Sequence, residues 1–202
     1  KYSAAWRVRS ANGSVADNSL GPQANTNDGD LSFGKGLISN RLDLLSELEY
    51  RYKREFGFRV SGAAWYDDVY NRRNDNPGAL GGALVNSRSA GYDEFTRDTA
   101  RLHGRKAELM DAFGYANFAA GDTSVNVKGG RFTQLYGESL FFGNNGIAGA
   151  QTPLDLVKAL SVPNSQFKEI ARPVGQLSTQ VQLSPTLSVG AHAWQESVGF
   201  RW

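Results

Sequence analysis

The sequence contains no cysteine. That excludes disulfides, thiolate metal centres and a cysteine nucleophile at once. Such a chain fits any compartment, including an envelope reached through an oxidising periplasm. No run of about 18 apolar residues is present, so no segment reads as a transmembrane helix. Histidine is scarce. His103 and His192 are the only two, and neither has a partner at metal-ligand spacing, so each reads as a solvated or lumen-facing side chain. Basic and acidic residues nearly cancel, 22 against 20. With no Lys/Arg-rich run, nothing calls for nucleic acid as a partner.

Sequence motifs for catalysis are missing as well. Ser139 lies in G-E-S-L-F, whereas a nucleophile elbow needs Gly-x-Ser-x-Gly. No Gly-x-Gly sits between a strand and a helix, so no phosphate loop is expected. Asp67 and Asp68 are strand neighbours and point to opposite faces. We expect no catalytic residues, no metal site, no cofactor and no enzyme activity.

What is abundant is glycine, 23 residues, and aromatics, 11%. Both suit an all-β chain with many turns and an apolar skin. In residues 42–53, LDLLSELEYRYK, Leu42, Leu44, Leu48, Tyr50 and Tyr52 share one parity. Asp43, Glu47, Glu49 and Arg51 share the other. A helix would pair Glu47 with Arg51. The turn Lys53-Arg54-Glu55 and the period-two run Phe56, Phe58, Val60, Tyr66 decide for a hairpin instead. The unit recurs. Residues 107–118 form a strand of ambiguous parity, in which Leu109, Phe113 and Tyr115 compete with Met110, Ala112 and Phe118. A turn near Gly121 leads to a strand from 125 to about 136. Strands 177–184 and 187–194 flank a turn at Pro185. With a lone strand at 2–9 this gives about seven, several longer than soluble sheets use.

Connections alternate strictly in length. Segments 10–41, 71–106 and 137–173 are long; the turns near Arg54, Gly121 and Pro185 are short. Long unstructured loops are rare in compact soluble domains. Short turns at one rim and long loops at the other mark an outer-membrane barrel. The predicted fold is therefore an all-β, antiparallel transmembrane β-barrel, one domain over 1–202, incomplete at about seven strands. A soluble secreted β-sandwich is the fold alternative. Aromatics near strand ends supply candidate girdles: Trp6, Tyr50, Tyr52, Phe56, Phe58 and Tyr66, then Phe118, Phe132, Tyr136, Phe200 and Trp202. Loop carboxylates such as Asp28, Asp30, Asp93, Glu94 and Asp98 are of the type that bridges lipopolysaccharide through divalent ions.

Residues 137–173 do not alternate. Thr152 as N-cap, Pro153 at N1 and Asp155 at N3 predict a helix to about Leu160. Asn164 or Ser165 caps a second turn ending near Ile170. As the third extracellular loop, this segment is expected to fold inward and constrict a lumen, since irregular backbone survives at membrane depth only when covered. Its expected lumen charges are Glu138, Asp155, Lys158, Lys168, Glu169 and Arg172. The expected wall charges are Asp43, Glu47, Glu49, Arg51, Arg59, Lys128 and Arg131. Leu140, Phe141, Phe142 and Leu156 would add an apolar lining, a mixture suited to an amphiphile.

The combination Gly137-Glu138-Ser139, Asn145-Gly146-Ile147, Pro153, Asp155-Leu156, Lys158, Pro163, Lys168-Glu169 and Pro173-Val174 resembles a family of proteobacterial outer-membrane proteins catalogued as domain of unknown function thirteen-zero-two. DGDLSFGKGLISN (residues 28–40) and LMDAFGYANF (residues 109–118) extend the resemblance to most of the chain. Residues 148–152 depart from it. The resemblance implies a porin-like channel or transporter for hydrophobic or lipidic amphiphiles in a Gram-negative outer membrane. Its implied partners are outer-membrane lipid, lipopolysaccharide and an envelope lipid-transport or efflux system. It also implies a longer barrel, of which this chain would be an N-terminal part; a true C-terminal aromatic at Trp202 is the other reading. A structural or adhesive barrel that binds a partner through its long loops is the functional alternative.

Overall fold

The computed structural model describes residues 1–10, 31–76, 90–121, 123–134 and 152–194. Seven strands form one sheet in sequence order. They are β1 (Tyr2–Arg7), β2 (Gly36–Tyr52), β3 (Phe56–Asp67), β4 (Arg105–Ala120), β5 (Thr123–Phe132), β6 (Val174–Ser184) and β7 (Leu187–Trp194). Pairing is antiparallel from β1 to β2 and from β4 through β7. The all-β expectation is met. At 17 and 16 residues, β2 and β4 are far longer than an average strand. Strand β2 starts at Gly36 rather than at 42, because β1 pairs with its non-alternating first half, Tyr2 against Leu42 and Trp6 against Leu37. An irregularity between Ala5 and Trp6 keeps that pairing in phase.

Local chemistry sets the short turns. Glu55 N–H donates to the Tyr52 carbonyl at 2.9 Å. Lys53 and Arg54 between them both have positive φ, 44° and 62°. Positive φ at both central residues defines a type I′ turn, whose twist matches that of the strands it joins. Gly121, at φ 67°, takes the corresponding position in the β4–β5 turn.

Among the described residues, the connections from β3 to β4 and from β5 to β6 carry helical turns. Between β3 and β4 lie a 3-10 turn (Val69–Asn71), helix α1 (Arg97–Thr99) and a π turn (Ala100–Gly104). Between β5 and β6 lie α2 (Leu156–Ser161) and α3 (Phe167–Ile170). The predicted cap of the first of these helices is corrected. Asp155, not Thr152, is the N-cap, and its Oδ1 accepts from Lys158 N–H at 2.9 Å. The delay has a cause: Leu154 forms a β-bridge with Ala171, with Asp155 N–H on the Ile170 carbonyl and Arg172 N–H on the Pro153 carbonyl. Backbone committed to that bridge cannot begin a helix.

Contacts divide the chain into two compact units, residues 1–44 with 64–107 and residues 45–63 with 108–202. In the first, buried Trp65 is flanked by Arg41 and Lys106, 5.1 and 5.4 Å from its ring centre. Asp67, 1% exposed, accepts from Ser39 Oγ, Asn40 N–H and Val69 N–H at 2.6–3.1 Å. Tyr70 stacks on His103 at 4.8 Å and packs on Phe95 at 4.9 Å. His103 is thus a stacking partner rather than a solvated side chain. In the second unit, Ala63, Met110, Phe132, Val162 and Ala171 are buried.

The faces of the sheet have unusual polarity. On β3, Phe56, Phe58, Val60 and Tyr66 are exposed, while Ser61, Ala63, Trp65 and Asp67 are buried. On β2, Leu44 and Leu48 are 65% and 61% exposed. On β6, Leu177 and Leu183 are exposed while Gln176 and Ser178 are buried. Large apolar residues are therefore exposed on the open face, and the enclosed face mixes polar residues with the buried Ala63 and Trp65.

Candidate functional site

The enclosed face of the second unit gathers charge around one arginine. Arg59 on β3 lies 2.9 Å from Glu47 and 3.8 Å from Glu49 on β2, and 3.6 Å from Asp111 on β4. Glu49 is shared with Arg51 at 2.9 Å, and Arg51 Nε donates to the Tyr115 hydroxyl at 3.1 Å. The strand pleat explains the grouping. Glu47, Glu49 and Arg51 share one parity of β2, and Arg59 shares the enclosed parity of β3 with Ser61. These side chains are partly exposed, so each pair contributes about 0–1 kcal/mol in water. Such a network adds little to stability; it sets the local field.

Strand β4 meets this network by changing phase. Neighbouring Met110 and Asp111 both line one cavity. Ser61 Oγ accepts from Asp111 N–H at 2.9 Å and pairs with its Oδ2 at 3.1 Å. A side chain thus takes a backbone donor that a regular ladder would use, and the alternation slips by one residue, as at a β-bulge. The ambiguous parity of 107–118 is resolved accordingly: Leu109 and Phe118 are exposed, whereas Phe113 turns inward with Asp111.

The cavity has a volume of about 260 Å³. Leu45, Met110, Phe113, Phe132, Ala171 and Pro173 give it apolar walls, and Glu47, Arg59, Asp111 and Lys128 supply charge. Lys128 Nζ sits 4.0 Å from the ring centres of both Phe113 and Phe132. Each such contact stabilises the ammonium by about 0.5–2 kcal/mol. Gly130, at φ 131°, lies opposite Phe113 in the β4–β5 register, and a Cβ there would collide with the Phe113 backbone.

The returning segment borders this cavity. Arg172 bonds Asp155 at 3.1 Å and also bonds Glu108 of β4. One guanidinium therefore ties the α2 cap to the sheet. Gln176 Nε2 donates to the Phe132 carbonyl at 2.7 Å just beyond it.

Of the expected wall charges, Glu47, Glu49, Arg51 and Arg59 meet in this network, and Lys128 lines the same cavity without joining it. Asp43 instead pairs with Arg41 at 2.9 Å in the first unit. Arg131 is a correction. It is exposed and shares the parity of Val125 and Val127, with Ala112 and Gly175 as neighbours. The lumen wall was expected to run on through it, but the pleat without interruption places it opposite Lys128. On the loop, Asp155 and Arg172 are joined, and Glu169 Oε2 accepts from Gln166 N–H at 3.1 Å. Lys158 is buried rather than presented, and Leu156 is exposed. Glu138, Tyr136, Phe200, Trp202 and the apolar run 140–142 lie outside the described residues, as does the Lys168 side chain.

Among the girdle aromatics, Trp6, Tyr50, Tyr52, Phe56, Phe58 and Tyr66 occupy the open face. Phe132 does not; at 1% exposure it is core. Sequence reasoning missed Glu108, Asp111 and Phe113 as members of the site. The change of phase on β4 hid two of them. The i, i+4 spacing of Lys128 and Phe132 on one strand parity was a usable signal for the third side of the cavity.

No curated protein and no solved structure matches the chain. Residues 1–201 match the family described as protein of unknown function (DUF1302). The chain belongs to that family.

Proposed function

We propose that this sheet is part of the wall of a transmembrane β-barrel in a Gram-negative outer membrane. Amphiphilic solutes pass along its polar inner face, constricted by the segment that ends at Arg172. One observation carries the reading: large apolar side chains are exposed on one face, while Ser61, Asp67, Gln176 and Ser178 are buried on the other. In water, a contiguous apolar face of this extent is disfavoured at about 25 cal/mol per Å². Against acyl chains it is the stable arrangement, provided the sheet closes so that no backbone edge meets lipid.

Dimensions support it. The 12 residues of β3 extend about 40 Å at ~3.3 Å each. Tilted by ~45°, as barrel strands are, they rise about 28 Å, close to the ~30 Å hydrocarbon core. Tyr50 on Phe58 and Tyr52 on Phe56, with centroids 5.7 and 5.1 Å apart, cluster beside the short turn. Trp6 and Tyr66 lie near the strand ends that lead into long connections. Aromatics so placed support the reading of two interfacial girdles.

The test is conductance of the full-length protein in planar bilayers, with residues 137–173 present or replaced by a short turn. Small conductance when intact and a large steady one after replacement is the expected result. An adhesive barrel would show no change in conductance, and would lose partner binding when residues 10–41 are removed. Recovery in the aqueous fraction without detergent, with no conductance in either form, would overturn the membrane reading.

A further inference from the structure

Among the described residues, one cation at the cavity of the second unit is not ion-paired to an acid. Arg59 is occupied by Glu47, Glu49 and Asp111, and Arg172 by Asp155 and Glu108. Lys128 differs. Among the described residues no carboxylate oxygen lies within ion-pair distance of its Nζ and no hydrogen bond reaches it; Asp111 acts on it only at longer range. The ammonium is instead fixed between Phe113 and Phe132, each ring centre 4.0 Å away. It borders a cavity of about 260 Å³ whose walls also carry the apolar Leu45, Met110, Ala171 and Pro173, with Ser61, Thr133 and the Glu47–Arg59–Asp111 group completing the lining. An ammonium has three donors, and aromatic faces satisfy its charge but leave those donors open.

We infer that this cavity is a binding site for an amphiphile carrying a single carboxylate, with Lys128 receiving the carboxylate and the apolar walls receiving the adjoining carbon skeleton. A monoanion fits better than a phosphate. Phosphate recognition favours several converging donors or a bidentate guanidinium, and a dianion would face Glu47 and Asp111 across the same cavity. A cationic amphiphile is disfavoured, since both of those acids are already paired to Arg59. The inference rests on the solute-path reading for the purpose of the site, because it names the class of solute. The site itself stands on geometry within one unit.

The test uses full-length protein in lipid nanodiscs with lysines reductively ¹³C-dimethylated, which preserves their charge. The Lys128 methyl resonance is assigned by its absence in Lys128→Arg. Decanoate is titrated in, with decanol and decylamine as neutral and cationic controls. Decanoate should move the Lys128 resonance saturably, and the two controls should not. Lys128→Met should weaken decanoate binding by about tenfold or more, and Lys128→Arg should retain most of it. Decanoate affinity unchanged in Lys128→Met, or an equal shift with decanol, would overturn the inference. Failure here with intact conductance would sink the ligand class alone. A Lys128 shift in protein that conducts nothing would sink the channel reading alone.

Discussion

Arg172 Nη1 lies 3.1 Å from Asp155 Oδ2, and the same guanidinium bonds Glu108 on β4. One side chain thereby holds the helical segment closed on itself and fastens it to the sheet. All three groups are largely covered, so removing the cation takes the guanidinium from two carboxylates, at a cost of about 1–3 kcal/mol. Arg172→Ala should free the segment and raise single-channel conductance severalfold in planar bilayers. Arg172→Lys, which keeps the charge but loses the fork, should give an intermediate value.

Arg59 is the hub of the charged network. Arg59→Gln leaves Glu47, Glu49 and Asp111 without their shared partner and makes the enclosed face net negative. Cation over anion selectivity should rise. The reversal potential across a salt gradient should therefore move toward the cation limit relative to the parent protein, with little change in the amount of folded protein.

Gly57 occupies a place where a side chain has no room. A Cβ built there meets the Tyr50 carbonyl and the Tyr115 phenol ring, which lies over the glycine. Backbone cannot yield cheaply, so Gly57→Ala should cost about 1–3 kcal/mol. The expected readout is a lower folded fraction in heat-modifiability gels, with a compensating gain when Tyr115 is also reduced to alanine.

Tyr70 titrates above the ordinary phenol range, first because burial disfavours the phenolate and second because Asp67 repels it. The unfolded chain gives up that proton near pH 10. The stability linked to the neutral phenol is fully present below that pH and is lost as the pH rises through the higher folded value. Melting temperature should fall as the pH rises above about 10, and Tyr70→Phe should flatten that alkaline limb without altering the melt at pH 8.

Much of this architecture is readable from residue order because the pleat has a period of two. Leu44, Leu48 and Tyr50 against Glu47, Glu49 and Arg51 fix the faces of β2, and the polar tripeptide after Tyr52 marks the turn. Reading fails where a non-local contact overrides the local pattern. Asp111 sits out of phase because Ser61 takes its N–H, and no single-strand pattern records a hydrogen bond to a neighbouring strand. Thr152-Pro153 looks like a helix start, yet the bridge between Leu154 and Ala171 delays α2 until Asp155. Arg131 was placed by charge rather than by parity. Counting in twos from Lys128 puts it on the other face.

The central claim is that the apolar face meets lipid. Because the chain has no cysteine, single cysteines introduced by Leu44→Cys, Leu48→Cys and Leu177→Cys can carry a nitroxide on the open face, and Gln180→Cys one on the enclosed face. In proteoliposomes, the account predicts that the three open-face labels collide more with oxygen than with a water-soluble nickel chelate, and that the Gln180 label does the reverse. Nickel-accessible labels at Leu44, Leu48 and Leu177 would contradict it.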